Sequence, residues 1–303
     1  YTGREKVIKF EGMYHGFQDY TLFSTYAPAE VYGNRNSPIP IPSSSGIPRA
    51  LNDLIVTLPF NNFDILETTL RRIGYEVAAM IVEPCMGNCG AILPEPGFLE
   101  FIQQKCADFG IVFILDEVKT GFRIANGGAQ EYYAIKPDLA TYAKALGNGF
   151  PVAAFGGRKD IMSIIGHGVA QGGTYNNNMP GVAAAYTVLK ILHERPIIAT
   201  INTRGRKLME GLRNIFTATG RPFCISGYPT MFSFAFGKEK IANQRDWDDT
   251  DKEYYLRLVE AAIDRGVMPD HDPREPWFLC YAHSDADIDE TLNIFQDAIR
   301  VTK

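Results

Sequence analysis

The sequence predicts an α/β fold, with a mostly parallel sheet in a large domain over residues 1–194 and a smaller α+β domain over residues 195–303. Two observations predict the parallel sheet. Short apolar runs alternate with longer helical stretches, which is typical of strand–helix–strand units. The run 111–115 is apolar without interruption, as in strands that are covered on both faces.

The first domain begins with a strand-like segment within residues 1–10. Residues 26–54 are rich in Pro and Ser and are expected to form a long irregular loop, because proline interrupts helices and inner strands. Phe98, Ile102 and Cys106 recur at helical spacing, which predicts a helix over 98–109 that ends at Gly110. Further strands are expected over 78–82, 111–115 and 138–143.

The second domain mixes helices and strands. Its apolar periodicity predicts the following elements in chain order: a long helical tract from about 181 to 219, a strand over 231–236, a helix over 251–265, a strand over 277–281 and a final helix over 285–299.

Composition is that of a soluble globular protein, with 303 residues of which 46% are hydrophobic and 21% charged. The net charge of −5 gives no general reason to bind nucleic acid or an anionic membrane. Five scattered cysteines favour a reducing, cytoplasmic location over a disulfide framework. No apolar run approaches the ~20 residues of a membrane helix, and no leader opens the sequence. We expect that a chain beginning at Tyr1 without Met is entered midway.

Charged residues stand at the carboxyl ends of three predicted strands: Glu83, Asp116 and Lys144. In parallel sheets these ends converge on one crevice, where ligands bind. Amine transfer with pyridoxal 5′-phosphate (PLP) requires a lysine that holds the cofactor aldehyde and moves a proton, and a carboxylate that keeps the pyridine nitrogen protonated. Taken alone, Asp116 and Lys144 fit a structural ion pair or a solvated edge equally well.

Longer motifs surround these residues. They are, in chain order, Val82-Glu83-Pro84, Gly87-Asn88-Cys89-Gly90, Asp116-Glu117-Val118-Lys119-Thr120-Gly121-Phe122-Arg123, Arg123–Gln130, Lys144-Ala145-Leu146-Gly147-Asn148-Gly149 and Ala282–Asp289. Together they resemble the class III aminotransferases of PLP fold type I, and most of all the branch similar to glutamate-1-semialdehyde 2,1-aminomutase. The resemblance covers nearly the whole chain.

The resemblance implies a cofactor site. Tyr14, next to His15, would stack on one face of the pyridine ring and Val118 would pack on the other. Asn88 would bind the phenolic oxygen of the cofactor, with Glu83 close by. For Tyr14 the alternative is an ordinary buried aromatic residue.

The resemblance also implies a homodimer with shared active sites, because Gly173 and Thr174 match a segment that reaches the cofactor phosphate of the neighbouring subunit. The alternative is a glycine-rich turn with a capping threonine. Glu275 matches an acidic position near the substrate, and Ser44 matches a serine of a mobile loop. The substrates would be an amine or amino acid and a keto acid or aldehyde, with neither nucleic acid nor membrane as partner.

The sequence departs from the family pattern in three ways. The phosphate-binding loop and the arginine for the substrate carboxylate would lie before Tyr1. Ala170 stands where many aminomutases have tyrosine, and bulky Pro276-Trp277 where they have small residues. The differences at Ala170 and Pro276-Trp277 favour an aminotransferase, whereas the missing phosphate-binding loop favours a non-catalytic relative. The alternatives are the aminomutase and a non-catalytic relative that retains the fold.

Two further patterns predict no additional site. Cys85 and Cys89 lack the second pair that a zinc site needs, so no metal is expected. Gly147-Asn148-Gly149 lacks the glycine spacing of a dinucleotide-binding loop.

Overall fold

In the computed structural model, which describes residues 1–302, the chain forms two compact units. The first unit comprises Tyr1–Pro84 and Pro94–Arg195. The second comprises the short segment Cys85–Leu93 together with the residues from Pro196 onward. The first unit is therefore not continuous in sequence, because the segment Cys85–Leu93 interrupts it.

The first unit contains eight strands and five helices among the described residues. In chain order they are β1 (Lys6–Phe10), β2 (Gly33–Asn34), β3 (Ser37–Pro38), β4 (Ile55–Leu58), α1 (Phe63–Ile73), β5 (Val77–Val82), α2 (Phe98–Phe109), β6 (Val112–Asp116), α3 (Gly128–Tyr133), β7 (Leu139–Tyr142), β8 (Ala154–Gly157), α4 (Lys159–Met162) and α5 (Met179–Glu194).

Six of these strands form one sheet in the order β4-β1-β5-β6-β7-β8. All neighbouring pairs are parallel except β7 and β8, which are antiparallel. The register pairs Val82 with Leu115 and Asp116 with Thr141, so β5, β6 and β7 end at the same edge. The predicted α/β class with a mostly parallel sheet is confirmed.

Helix α2 has the buried face and the end that its sequence pattern predicts. Phe98, Ile102 and Cys106 are buried on one face, as their spacing predicts. The helix ends at Gly110, whose φ of 63° is the left-handed conformation that glycine adopts without steric cost. The burial of this face covers the sheet beside β6.

The second unit contains, in chain order, α6 (Ile197–Thr217), β9 (Phe223–Tyr228), β10 (Met231–Phe236), α7 (Gln244–Asp248), α8 (Lys252–Ile263), β11 (Trp277–Phe278) and α9 (Asp285–Val301). Its three strands form an antiparallel sheet in the order β11-β10-β9. None of the helices in the described part of the chain is long and apolar enough to span a bilayer.

The helical tract expected from 181 to 219 is two helices rather than one. It is interrupted at Arg195 and Pro196, where Arg195 has extended backbone angles of φ −133° and ψ 146°. Proline disfavours helical angles at the residue before it, and this explains the break. The predicted strand over 277–281 is also shorter and covers Trp277–Phe278 only.

Aromatic side chains fill the core of the second unit. Phe216, Phe234 and Phe295 are almost fully buried, and Trp277 packs against Phe234 with ring centroids 5.1 Å apart. The Trp277 indole nitrogen donates to the hydroxyl of Tyr255 at 3.3 Å. Trp277 therefore serves core packing, and its bulk is no longer an indication about the substrate.

Candidate active site

The carboxyl edge of the parallel strands carries the polar residues predicted from the sequence. β6 ends at Asp116, Glu83 follows β5 directly, and Lys144 lies two residues after β7. Glu83 and Asp116 are buried, with 4% and 6% of their surface exposed. Carboxylates are rarely this buried without partners, so the geometry of each is informative.

Three donors converge on the Asp116 carboxylate. His15 Nδ1 lies 2.7 Å from Oδ2, and Oδ1 accepts from the backbone N–H of Val118 at 3.0 Å and from the hydroxyl of Thr141 at 3.1 Å. A carboxylate has about four acceptor positions. Among the described residues these three bonds are the ones it makes, which leaves one acceptor position for a ligand.

His15 is enclosed by the protein, with 1% of its side chain exposed. Burial lowers the pKa of its imidazole, although the hydrogen bond to Asp116 acts in the opposite direction. The neutral ring places its hydrogen on Nδ1, because the facing carboxylate can only accept. Its Nε2 atom is buried and has no hydrogen-bond partner among the described residues.

Tyr14 precedes His15 and is half-buried. Its backbone N–H donates to Glu83 Oε1 at 2.8 Å, which fixes the main chain next to β5. Its ring contacts those of Phe17 and Tyr26, with centroids 5.8 and 6.1 Å away. Together these rings form an aromatic surface near the strand ends.

Lys144 has an unusual backbone for a lysine. Its φ is 47°, in the left-handed region that side chains other than glycine rarely occupy, and the preceding Ala143 is extended. Lys144 is exposed. Strained backbone of this kind concentrates at functional sites, because only the surrounding structure maintains it.

Two of the predicted residues belong to the second unit. Asn88 is buried in the Cys85–Leu93 segment, and Glu275 is half-buried. Gly90 donates its N–H to the carbonyl of Arg274 at 2.9 Å, so the segment that carries Asn88 lies beside the residue before Glu275. The predicted cofactor residue and the predicted substrate residue are therefore close in the fold of this unit.

The remaining predicted residues lie in exposed loops of the first unit. Gly173 and Thr174 begin the turn that leads into α5, and the Ser44 hydroxyl donates to the carbonyl of Ser45 at 3.2 Å. None of them takes part in the hydrogen bonds of Asp116. Hydrogen bonds thus join the segment Tyr14-His15 to Glu83 and Asp116, and Asp116 to Val118.

Sequence reasoning missed two residues that the structure places in this region. Thr141 orients Asp116, and Lys9 is fully buried beneath the loop that carries Tyr14 and His15. Lys9 left a signal, because a lysine within the otherwise apolar run from Val7 to Phe10 interrupts a buried strand. Across residues 1–302, no group of three His, Cys, Asp or Glu side chains could hold a metal ion.

Comparison with known proteins gives a consistent picture. The family model described as aminotransferase class-III matches residues 1–299. Glutamate-1-semialdehyde 2,1-aminomutase of Persephonella marina is 35% identical over 302 residues, which cover 99% of this chain and 69% of that protein.

Two solved structures extend the comparison. An omega-transaminase from Sphaerobacter thermophilus is 29% identical, with a TM-score of 0.89, over 99% of this chain and 69% of that one. A transaminase with PLP bound is 21% identical, with a TM-score of 0.83, over 99% of this chain and 68% of the other, and it supports the fold alone.

Proposed function

The chain belongs to the class III aminotransferases, enzymes whose cofactor is PLP, and on this premise we propose that it transfers an amino group from an amine or amino acid to a keto acid or aldehyde. The observation that carries the proposal is that a buried carboxylate and an exposed lysine follow neighbouring strands at the same edge of the sheet. Asp116 ends β6, and its neighbour Thr141 lies on β7, three residues before Lys144.

The residues at this edge fit PLP. The open acceptor position of Asp116 suits the protonated pyridine nitrogen, and the aromatic surface around Tyr14 suits a flat ring. The buried Nε2 atom of His15, which lacks a partner within the described chain, is typical of a pocket whose polar groups are arranged for a ligand. When bound, PLP supplies an electron sink beside the amine-bearing carbon of the substrate.

Each residue then has a definite task. Asp116 holds the proton on the pyridine nitrogen, and His15 orients Asp116 through the bond between Nδ1 and Oδ2. Lys144 Nζ would hold the cofactor through its aldehyde group, and its amine, once free, would move a proton at the amine-bearing carbon of the substrate. The keto product leaves before the second carbonyl substrate binds, so the kinetics are ping-pong.

The other predicted residues enter as proposals. Val118 packs on the ring face opposite Tyr14, Asn88 binds the phenolic oxygen, and Glu83 holds the Tyr14 main chain. Ser44 and Glu275 face the substrate. Residues 1–194 are proposed as the cofactor-binding domain and 195–303 as the small domain, with the exception of Cys85–Leu93, which belongs to the second unit.

We also propose a homodimer in which Gly173 and Thr174 bind the phosphate of the partner's cofactor. Helix α5, which follows these residues, exposes Met179, Val182 and Tyr186 on one face, with exposed fractions of 74%, 43% and 70%. Apolar side chains exposed at helical spacing are typical of an interface. The five free cysteines support a cytoplasmic location.

The aminomutase remains the second candidate, because the relative from Persephonella marina with 35% identity carries that name. Ala170 and the similarity to the omega-transaminase favour the aminotransferase. A non-catalytic relative is the third candidate, and the presence of Tyr14, Asp116 and Lys144 together argues against it.

The first experiment tests the cofactor and its lysine in the full-length protein. PLP is added, the absorbance spectrum is recorded, and borohydride reduction is followed by peptide mapping. We expect a visible band and a pyridoxyl group on Lys144, both lost in Lys144→Ala and both retained in Lys159→Ala, which removes an exposed lysine. An unlabelled Lys144 in wild-type protein contradicts the enzyme proposal.

A single-turnover experiment separates the two reactions. The PLP-loaded enzyme is mixed with one amine donor in the absence of any carbonyl acceptor. An aminotransferase releases one equivalent of keto product and stops until an acceptor is added. Isomerisation of glutamate 1-semialdehyde without release of a keto product supports the aminomutase instead.

A further inference from the structure

Lys9 is the most unusual buried charge of the first unit. It lies on β1 between Ile8 and Phe10, and all three residues have 0% of their surface exposed. Lysine is almost never fully buried unless its ammonium group is paired, since an uncompensated charge in the interior is very costly. The contacts of Lys9 Nζ therefore indicate what the residue does.

The ammonium group has three acceptors. Nζ donates to the carbonyl of Met13 at 2.7 Å, to the hydroxyl of Thr25 at 3.2 Å and, by a shorter bond, to the carbonyl of Phe23. An ammonium carries three N–H groups, so donors and acceptors match in number. The Thr25 hydroxyl in turn donates to the Met13 carbonyl at 3.1 Å. Lys9 thus joins the start and the end of the loop 13–25.

The bond to Met13 bears directly on the active site. The peptide group between Met13 and Tyr14 gives its carbonyl oxygen to Lys9 and its N–H to Glu83 Oε1 at 2.8 Å. This single peptide plane is therefore held on both sides by buried charged side chains. Tyr14 and His15 follow it immediately, and His15 reaches Asp116.

We propose that Lys9 is a positioning residue for the cofactor, because its three hydrogen bonds hold the loop 13–25 in the conformation that places Tyr14 and His15 beside Asp116. The inference rests on the proposed function, in which these residues bind PLP. Lys9 acts through the loop and makes no contact with the reacting atoms.

The role depends on the protonation state of Lys9. Burial lowers the pKa of its ammonium group to about 7, while the nearby Glu83 carboxylate acts in the opposite direction. The other ionisable group that interacts with Lys9 is His15, whose pKa is lowered by burial first and by Lys9 in addition. Above pH 7 the neutral amine has two N–H groups for three acceptors, so the hold on the loop weakens.

The test compares Lys9→Met with Lys6→Met in the full-length protein. Met has similar length and no donors, and Lys6 lies on the same strand but pairs with Glu76 at the surface. The dissociation constant of PLP is measured from pH 6 to pH 8.5. We expect Lys9→Met to weaken PLP binding by about tenfold at pH 6, the effect of losing charge-assisted hydrogen bonds.

The pH profile separates positioning from a general structural role. The dissociation constant of PLP for Lys9→Met, divided by that for wild-type protein, should fall toward one as pH rises through 7, because wild-type Lys9 then loses its charge. Lys6→Met should follow wild-type protein at every pH. Titration of PLP itself cancels in these ratios.

Thr25→Val provides a second variant if Lys9→Met does not fold, since it removes one acceptor of Lys9 and preserves side-chain shape. A smaller loss of PLP affinity is expected. The inference is overturned if the folded Lys9 and Thr25 variants bind PLP as tightly as Lys6→Met at every pH. A failure of wild-type protein to bind PLP at Lys144 overturns the proposed function instead, so the two results are distinct.

Discussion

Asp116 combines contacts from three separate parts of the chain. His15 lies 101 positions away in the sequence, Thr141 lies 25 away, and Val118 lies two residues downstream. Each contact fixes the carboxylate without occupying its last acceptor position. The arrangement leaves Asp116 with one acceptor position, which the proposed cofactor would fill.

Asp116→Asn tests that preparation. The amide cannot stabilise a protonated pyridine nitrogen by charge. If its NH₂ group faces the N–H of His15, two donors meet and that hydrogen bond is lost. We expect kcat to fall by about 100-fold or more, as when a preorganised electrostatic contact is removed. Steady-state kinetics with the best donor would measure this loss, and Asp108→Asn on the exposed face of α2 is the control. If Asp116→Asn has the kcat of wild-type protein, the proposed role of Asp116 is wrong.

Lys9 also predicts how stability depends on pH. Its pKa is about 7 in the folded chain and near the ordinary 10.5 in the unfolded chain. Between these two pKa values the unfolded chain binds up to one proton more, so the free energy of unfolding should rise with pH by at most about 1.4 kcal/mol per unit. Denaturant unfolding at pH 7, 8 and 9 measures the slope. Lys9→Met should lack this contribution and Lys6→Met should keep it, whereas equal slopes would refute the prediction.

The connection from β6 to α3 is organised by the buried Glu117. Its carboxylate accepts from the Thr120 hydroxyl at 2.7 Å and from the N–H groups of Ala129 and Gln130 at 2.8 and 3.2 Å. The start of α3 is thereby tied to the residue after Asp116. At the scale of the element, this clamp keeps Asp116 and Val118 in place.

Gly128→Ala should break the Glu117 clamp. Gly128 has a φ of 67°, and an added Cβ would lie 2.5 Å from Glu117 Oε2. Gly97→Ala is the matched control, since Gly97 has a φ of 83° but open space around it. In both variants the free energy of unfolding should fall by about 1 kcal/mol, because alanine is strained at a positive φ. In Gly128→Ala it should fall by roughly 2 kcal/mol more, because the hydrogen bonds of Glu117 are disturbed. Thermal unfolding compares them, and equal losses would contradict the role of Glu117.

The exposed face of α5 is the clearest interface candidate at the scale of the whole molecule. Tyr186 is 70% exposed within a stripe of apolar side chains. If this stripe forms the proposed homodimer, Tyr186→Glu places a charge in the interface and should weaken association by on the order of 2 kcal/mol. Light scattering of the full-length protein measures the mass. Tyr75→Glu, at a 73% exposed position, is the control, and an unchanged dimer in Tyr186→Glu would exclude this face.

Sequence patterns alone predicted the parallel sheet, the strand that ends at Asp116 and the helix α2 with its end at Gly110. These features depend on local spacing, which a single sequence displays directly. The position of Lys144 just after β7 was also predicted. The division of the predicted long helix was not, although Pro196 signals it. The helix α1 and the strand β9 were not predicted, although Leu66 and Leu70 of α1 recur at helical spacing after the cap at Asn62.

Which distant residues meet depends on the three-dimensional packing of the chain. The bond between His15 and Asp116 joins residues far apart in sequence, and Lys9 is held largely by backbone carbonyls, which every residue possesses and no motif marks. The assignment of the Cys85–Leu93 segment to the second unit likewise depends on long-range packing. Sequence patterns indicate local geometry, whereas the stabilisation of a buried charge depends on which acceptors the folded chain brings within hydrogen-bonding distance.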